Sequence, residues 1–265
     1  MTILETIAQK LSALPQVEAI ALAGSRTAQT DDAKSDFDFY IYAVSEIPLA
    51  ARRQLAEHFA ERIEINNQFW EPGDEWIDKQ SGIAVDMMYR HPHWIEEQIE
   101  RVLVRHQASV GYSTCFWYNV LNSKILFDRR GWYAQLQQHA SQPYPEPLRR
   151  AIVAKNYPIL RDNISSYQHQ IESAVARQDL VSVHHRTAAL LASYFDILFA
   201  VNRQPHPGEK RLVNFAKNFC ARLPAAMETQ IAQVIATLAD DEAHLPALHN
   251  LLEGLENLLR GEKLL

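Results

Sequence analysis

Apolar residues recur at helical spacing at the start of the chain. Ile3, Leu4, Ile7, Ala8 and Leu11 share one face and predict a helix over residues 2–13. After Pro15 the pattern shortens. "VEAIALAG" predicts an apolar strand stopped by Gly24, and "FDFYIYAV", beyond a polar loop over 25–35, predicts a second strand. A helix follows from Leu49 to about Arg62, with Leu55, Ala56 and Phe59 on its apolar side. "IEINNQFWE" reads as a strand closed by the Pro72-Gly73 turn, and "GIAVDMMYR" as another. "PHWIEEQIERVL" predicts a helix opened by Pro92, and "SKILFDRRGW" a short strand ending in a turn at Gly131.

At "SQPYPEP", residues 141–147, three prolines mark a linker, and strand patterns cease beyond it. Residues 148–175, 180–202, 209–221, 225–239 and 243–262 carry helical periodicity, with Pro158 predicting a kink or break in the first segment. The expected fold class is therefore α+β: an α/β domain with a short mixed sheet over 1–143, then an all-helical bundle over 144–265.

The formal net charge of −6 and pI near 6.0 give no basic surplus, so a nucleic-acid partner is not expected. Cys115 and Cys220 lie far apart without ligand spacing, which fits a reducing compartment and argues against a disulfide scaffold or a zinc site. The N-terminal stretch mixes charges into its apolar pattern, unlike a signal peptide. The most apolar run, Ala188 to Val201, is too short to span a bilayer and contains Asp196, so it reads as a buried helix. A cytoplasmic protein with no membrane partner is expected.

The candidate chemistry begins at "GSRTAQTDDAKSDFDFYIYAV", residues 24–44. In a strand Asp36, Asp38, Tyr40 and Tyr42 point one way, while Phe37, Phe39, Ile41 and Ala43 point into a core. Two neighbouring carboxylates repel unless a cation joins them, and Mg²⁺ suits one or two carboxylates plus substrate phosphate oxygens. Gly24 at a strand end lets the backbone approach a ligand, Ser25 adds a hydroxyl, and Arg26 offers a planar cationic fork. Asp86 alternates away from Ile83, Val85 and Met87, and it can join Asp36 and Asp38 if their strands are neighbours.

"GS" followed by "SDFD" at this spacing, with a third carboxylate on a later strand, resembles the nucleotidyltransferase superfamily that includes DNA polymerase β. The layout looks most like the bacterial aminoglycoside and lincosamide nucleotidyltransferases, which also follow the catalytic domain with a helical bundle; only residues 20–44 match specifically. The resemblance implies that Gly24 and Ser25 hold a triphosphate. It also implies that Asp36 and Asp38 hold Mg²⁺, as two ions, with Asp86 as third ligand or general base. The implied reaction moves a nucleoside monophosphate, AMP from ATP being favoured, onto a hydroxyl of a small or cationic acceptor. A protein acceptor, as in toxin–antitoxin systems, and a nucleotide-binding module without turnover are the alternatives. Sites shared between subunits among relatives make a homodimer an open expectation. Where many relatives carry an arginine and a glycine, this chain has Ala28 and Gln29.

Lys210, in "VNRQPHPGEKRL", has two readings: a solvated helix start, or a cation reaching a phosphate. Lys155 beside the Pro158 break likewise reads as a solvated charge or a nucleotide contact. His184 and His185 lack partners at ligand spacing and read as a surface patch. "CFWYNV", Gln68 to Trp70, and Trp76 read as packing residues, with the last two groups as alternative walls of an acceptor pocket.

Overall fold

The computed structural model describes residues 2–24, 36–69 and 71–265. Ser25, Arg26, Ala28, Gln29 and Trp70 lie outside the described residues. The chain is α+β, with a six-stranded mixed sheet and a set of C-terminal helices. It divides into two compact units, one of Met1–Glu100 and Asn119–Gln142, the other of Arg101–Tyr118 and Pro143–Leu265.

The first unit opens with α1 (Ile3–Ser12), begun by a reciprocal cap: the Thr2 hydroxyl accepts the Glu5 N–H and the Glu5 carboxylate accepts the Thr2 N–H. There follow β1 (Val17–Ala23), β2 (Phe37–Ala43), α2 (Leu49–Phe59), β3 (Ile63–Asn67), β4 (Gly73–Ile77), β5 (Ala84–Arg90) and α3 (Pro92–Leu103). Then come α4 (Cys115–Asn122), whose residues up to Tyr118 belong to the other unit, β6 (Lys124–Asp128) and α5 (Trp132–Ala140). The strand order is β3-β4-β5-β2-β1-β6; β2 and β5 run parallel and the other neighbours antiparallel.

Strand alternation sends Ile20, Leu22, Phe37, Phe39, Ile41, Val85 and Met87 to one face, where Ile7 and Leu11 of α1 and Leu55, Ala56 and Phe59 of α2 cover them. The opposite face is covered only in part. Tyr42, on the same side as Asp38, is buried against Trp132 and Tyr133 of α5, with ring centroids 5.3 and 5.1 Å away.

Three elements differ from the sequence pattern. β4, "GDEWI", departs from the sequence pattern, because glycine and two acids leave no run of β-forming residues. Its Asp74 is fully buried by a bidentate pair with Arg52 of α2. The aromatic run at 115–120 becomes α4, and α5 follows the Gly131 turn.

The second unit contains α6 (Glu146–Tyr157), α7 (Tyr167–Ala176), α8 (Leu180–Val201), α9 (Leu212–Phe219), α10 (Met227–Ala236) and α11 (Asp241–Gly261). The single helical segment expected over 148–175 is divided at Pro158. Proline has no N–H to donate, and α6 gives way to one π-helical turn, Pro158–Asp162, closed by Asn163 N–H donating to the Pro158 carbonyl at 2.9 Å. Leu190, Tyr194, Ile197 and Leu198 of α8 form the centre of this unit's core with Leu248, Leu251 and Leu255 of α11. No helix among the described residues is long and apolar enough to cross a membrane.

Candidate functional site

β2 and β5 are hydrogen-bonded neighbours, and their register sets Asp38 directly opposite Asp86. Direct partners on adjacent strands point to the same face, so the two carboxylates stand side by side, both half-buried. Asp36 is the exposed residue just before β2. It lines, with Asp86, Ala84, Glu75, Glu64 and Arg62, a cavity of 420 Å³ on this face.

Gly24 ends β1, whose Ala23 pairs with Asp38. Its φ of +71° is left-handed, and a Cβ built there would lie 1.8 Å from Asp38 Oδ2. Glycine is thus required twice at this position, once for the backbone bend and once so that the Asp38 carboxylate can lie against the end of β1.

The register also supplies acids that the sequence pattern does not single out. Glu75 of β4 pairs with Asp86, and Glu64 of β3 pairs with Glu75. Glu64, Glu75, Asp86 and Asp38 therefore form one row across four strands. Like charges directly opposite each other are unfavourable. Glu75 Oε1 accepts the Asn67 amide at 2.9 Å, and Arg62 Nη2 stands 3.8 Å from Glu64. The period-2 pattern of "IEINN" was enough to place Glu64 opposite the core; Glu75 required recognition of β4.

The donor set is all hard oxygen, the kind Mg²⁺ takes. Among the described residues no group of three or more His, Cys, Asp or Glu side chains converges to hold an ion. Asp38 and Asp86 are two carboxylates side by side, a number that fits a magnesium ion whose shell is completed by phosphate oxygens.

Trp76 is buried, stacked on Phe59 at 6.3 Å, and borders the cavity from the core side. Phe69 is exposed. Lys155, in the last turn of α6, and Lys210, between α8 and α9, belong to the helical unit, and both are exposed. His184 and His185 are exposed on α8. Cys115 and Cys220 are both free thiols.

A family model described as a domain of unknown function, DUF4037, matches residues 116–212, a segment that contains Lys155, Asp196 and Lys210 but not the acids of the sheet. No curated protein matches the chain. Among solved structures, a nucleotidyltransferase-like protein from Exiguobacterium sibiricum 255-15 is similar at 13% sequence identity and a TM-score of 0.44, over 97% of this chain and 73% of that one.

Proposed function

We propose that the sheet unit is a Mg²⁺-dependent nucleotidyltransferase that moves AMP from ATP onto a hydroxyl of a small acceptor. The observation that carries this reading is the Asp38–Asp86 register beside the left-handed Gly24. Asp38 and Asp86 are the residues that would hold Mg²⁺, with Asp36 lining the cavity that Asp86 also lines. The ion supplies charge neutralisation at the triphosphate and lowers the cost of forming an attacking alkoxide.

The chain's own residues then divide the remaining work. Gly24 and Ser25 offer backbone and hydroxyl donors to the phosphates, with Arg26 as a further cation. Asp86 accepts the proton of the acceptor hydroxyl as its oxygen attacks the α-phosphorus and the bond to the β-phosphate oxygen breaks, releasing pyrophosphate. As acceptor, the Glu64–Glu75 row disfavours a nucleic acid with its phosphodiester backbone and favours a small cationic molecule, such as an aminoglycoside-like or lincosamide-like one.

Calorimetric titration of ATP with and without Mg²⁺ tests the reading, comparing the native protein with Asp36→Asn/Asp38→Asn. The expected result is Mg²⁺-dependent binding that the double variant loses, followed by pyrophosphate release in an acceptor screen. Absence of binding by ATP, CTP, GTP and UTP alike would sink it.

A further inference from the structure

β3 changes face partway along its length. Ile63 and Ile65 pair with Trp76 and Asp74 of β4 on the core side of the sheet, and an unbroken period of two would put Asn67 there as well. The register instead runs from Ile65–Asp74 to Asn67–Gly73, which leaves Asn66 as an extra residue in β3. Asn66 is left-handed, with φ of 61°, a conformation that asparagine tolerates better than most side chains. This is a β-bulge, and it turns Asn67 to the opposite face. There the Asn67 amide donates to Glu75 Oε1 at 2.9 Å.

The bulge is itself held from the core. The Asn66 N–H donates to Asp74 Oδ1 at 2.8 Å, and Arg52 of α2 holds the buried Asp74 in turn. Arg52, Asp74, Asn66 and Asn67 thus act in series to orient one carboxylate, that of Glu75, which lines the 420 Å³ cavity beside Asp86. Bulges that re-aim a side chain are common next to active sites.

The group that orients Glu75 is neutral. Glu64 has Arg62 3.8 Å away, whereas the Asn67 amide fixes Glu75 without cancelling its charge. Glu75 also stands between Glu64 on β3 and Asp86 on β5. A cation beside it is stabilised by all three carboxylates, and an anion is repelled by them.

We propose that Glu75, aimed by Asn67, selects a positively charged acceptor, an assignment that rests on the nucleotidyl transfer inferred above. Asn67 is a positioning residue and acts only through Glu75. The register narrows the acceptor class. Direct cross-strand partners have Cβ atoms roughly 4.5–5.5 Å apart, so an ammonium on Glu75 and a hydroxyl on Asp86 belong to neighbouring carbons of one molecule. The acceptor is therefore a vicinal amino alcohol. Its ammonium donates to Glu75, and its hydroxyl gives a proton to Asp86 as the oxygen bonds to the α-phosphorus and pyrophosphate leaves.

Glucosamine and glucose are matched probes, differing by one ammonium beside a hydroxyl. Pyrophosphate release from MgATP by the full chain should show a kcat/KM at least about tenfold higher for glucosamine. Asn67→Ala should raise the glucosamine KM about tenfold with kcat little changed, and should alter the glucose KM far less. Asn67→Gln, which keeps an amide, should recover part of the loss. Glu75→Gln should remove the preference for glucosamine, and it decides if Asn67→Ala does not fold. Equal use of the two sugars by the native protein overturns the assignment, as does use of neither by a protein that binds MgATP. Equal losses for both sugars in Asn67→Ala would reduce Asn67 to a structural role and overturn it too. Failure to bind MgATP at all instead sinks the underlying transfer reaction and takes this assignment with it.

Discussion

Gly24→Ala should weaken Mg²⁺-dependent ATP binding while leaving the chain folded. Two effects separate here by size. Holding an alanine at the +71° φ of Gly24 costs on the order of 1–2 kcal/mol, which a folded unit withstands. The added methyl, however, would sit 1.8 Å from Asp38 Oδ2 and 2.7 Å from Asp38 Cγ, so the carboxylate must swing away from its place opposite Asp86. Backbone and sheet keep their positions, and only the proposed metal-binding acid moves. We expect ATP affinity in the presence of Mg²⁺ to fall at least about tenfold, with a melting temperature within several degrees of native. Calorimetry and a thermal melt on the same sample check both halves. Unchanged affinity would show that the placement of Asp38 does not matter to nucleotide binding.

The second large effect concerns the pair that fixes β4. Arg52 Nε donates to Asp74 Oδ2 at 2.9 Å, and its Nη2 reaches both Asp74 Oδ1 and the Gly73 carbonyl. The guanidinium lies 4.1 Å from the Tyr89 ring centre, and Asp74 Oδ1 also accepts the Asn66 N–H at 2.8 Å. Both charged groups are buried, so removing either one strands the other without water. Arg52→Met or Asp74→Leu alone should destabilise by about 3–5 kcal/mol, whereas the double substitution should recover most of that loss. Urea unfolding of the two single variants and the double variant measures the coupling. Additive losses would mean that the pair is not the source of the cost. Because β4 carries Glu75 into the cavity beside Asp86, the single variants should also weaken any activity of the site.

Several features of this protein are local, and local features are legible in the chain. The alternation of "FDFYIYAV" assigned Phe37, Phe39 and Ile41 to a core and Asp38 to the other face, because a strand has a period of two whatever its neighbours are. Thr2 and Glu5 began the first helix, and Pro158 ended α6 through its missing N–H. Ala188 to Val201 read as a buried helix from its apolarity alone, and it forms the middle of the helical core.

Tertiary structure decided the rest, because strand pairing and burial join residues that no local pattern connects. The parallel pairing of β2 with β5 turns Asp38 and Asp86 into neighbours, and the β4 hairpin adds Glu75 to their row. "GDEWI" lacks strand character by composition and becomes a strand only between β3 and β5, where its ladder bonds are satisfied on both edges. Asp74 is buried because α2 brings Arg52 to it. Asp196 interrupts an apolar helix in the sequence; the loop that comes to rest on it, eighty-three positions earlier at Ser113, makes it the centre of a hydrogen-bonded network. The chain alone fixed which way each side chain points, and only the folded pairing fixed which side chains meet.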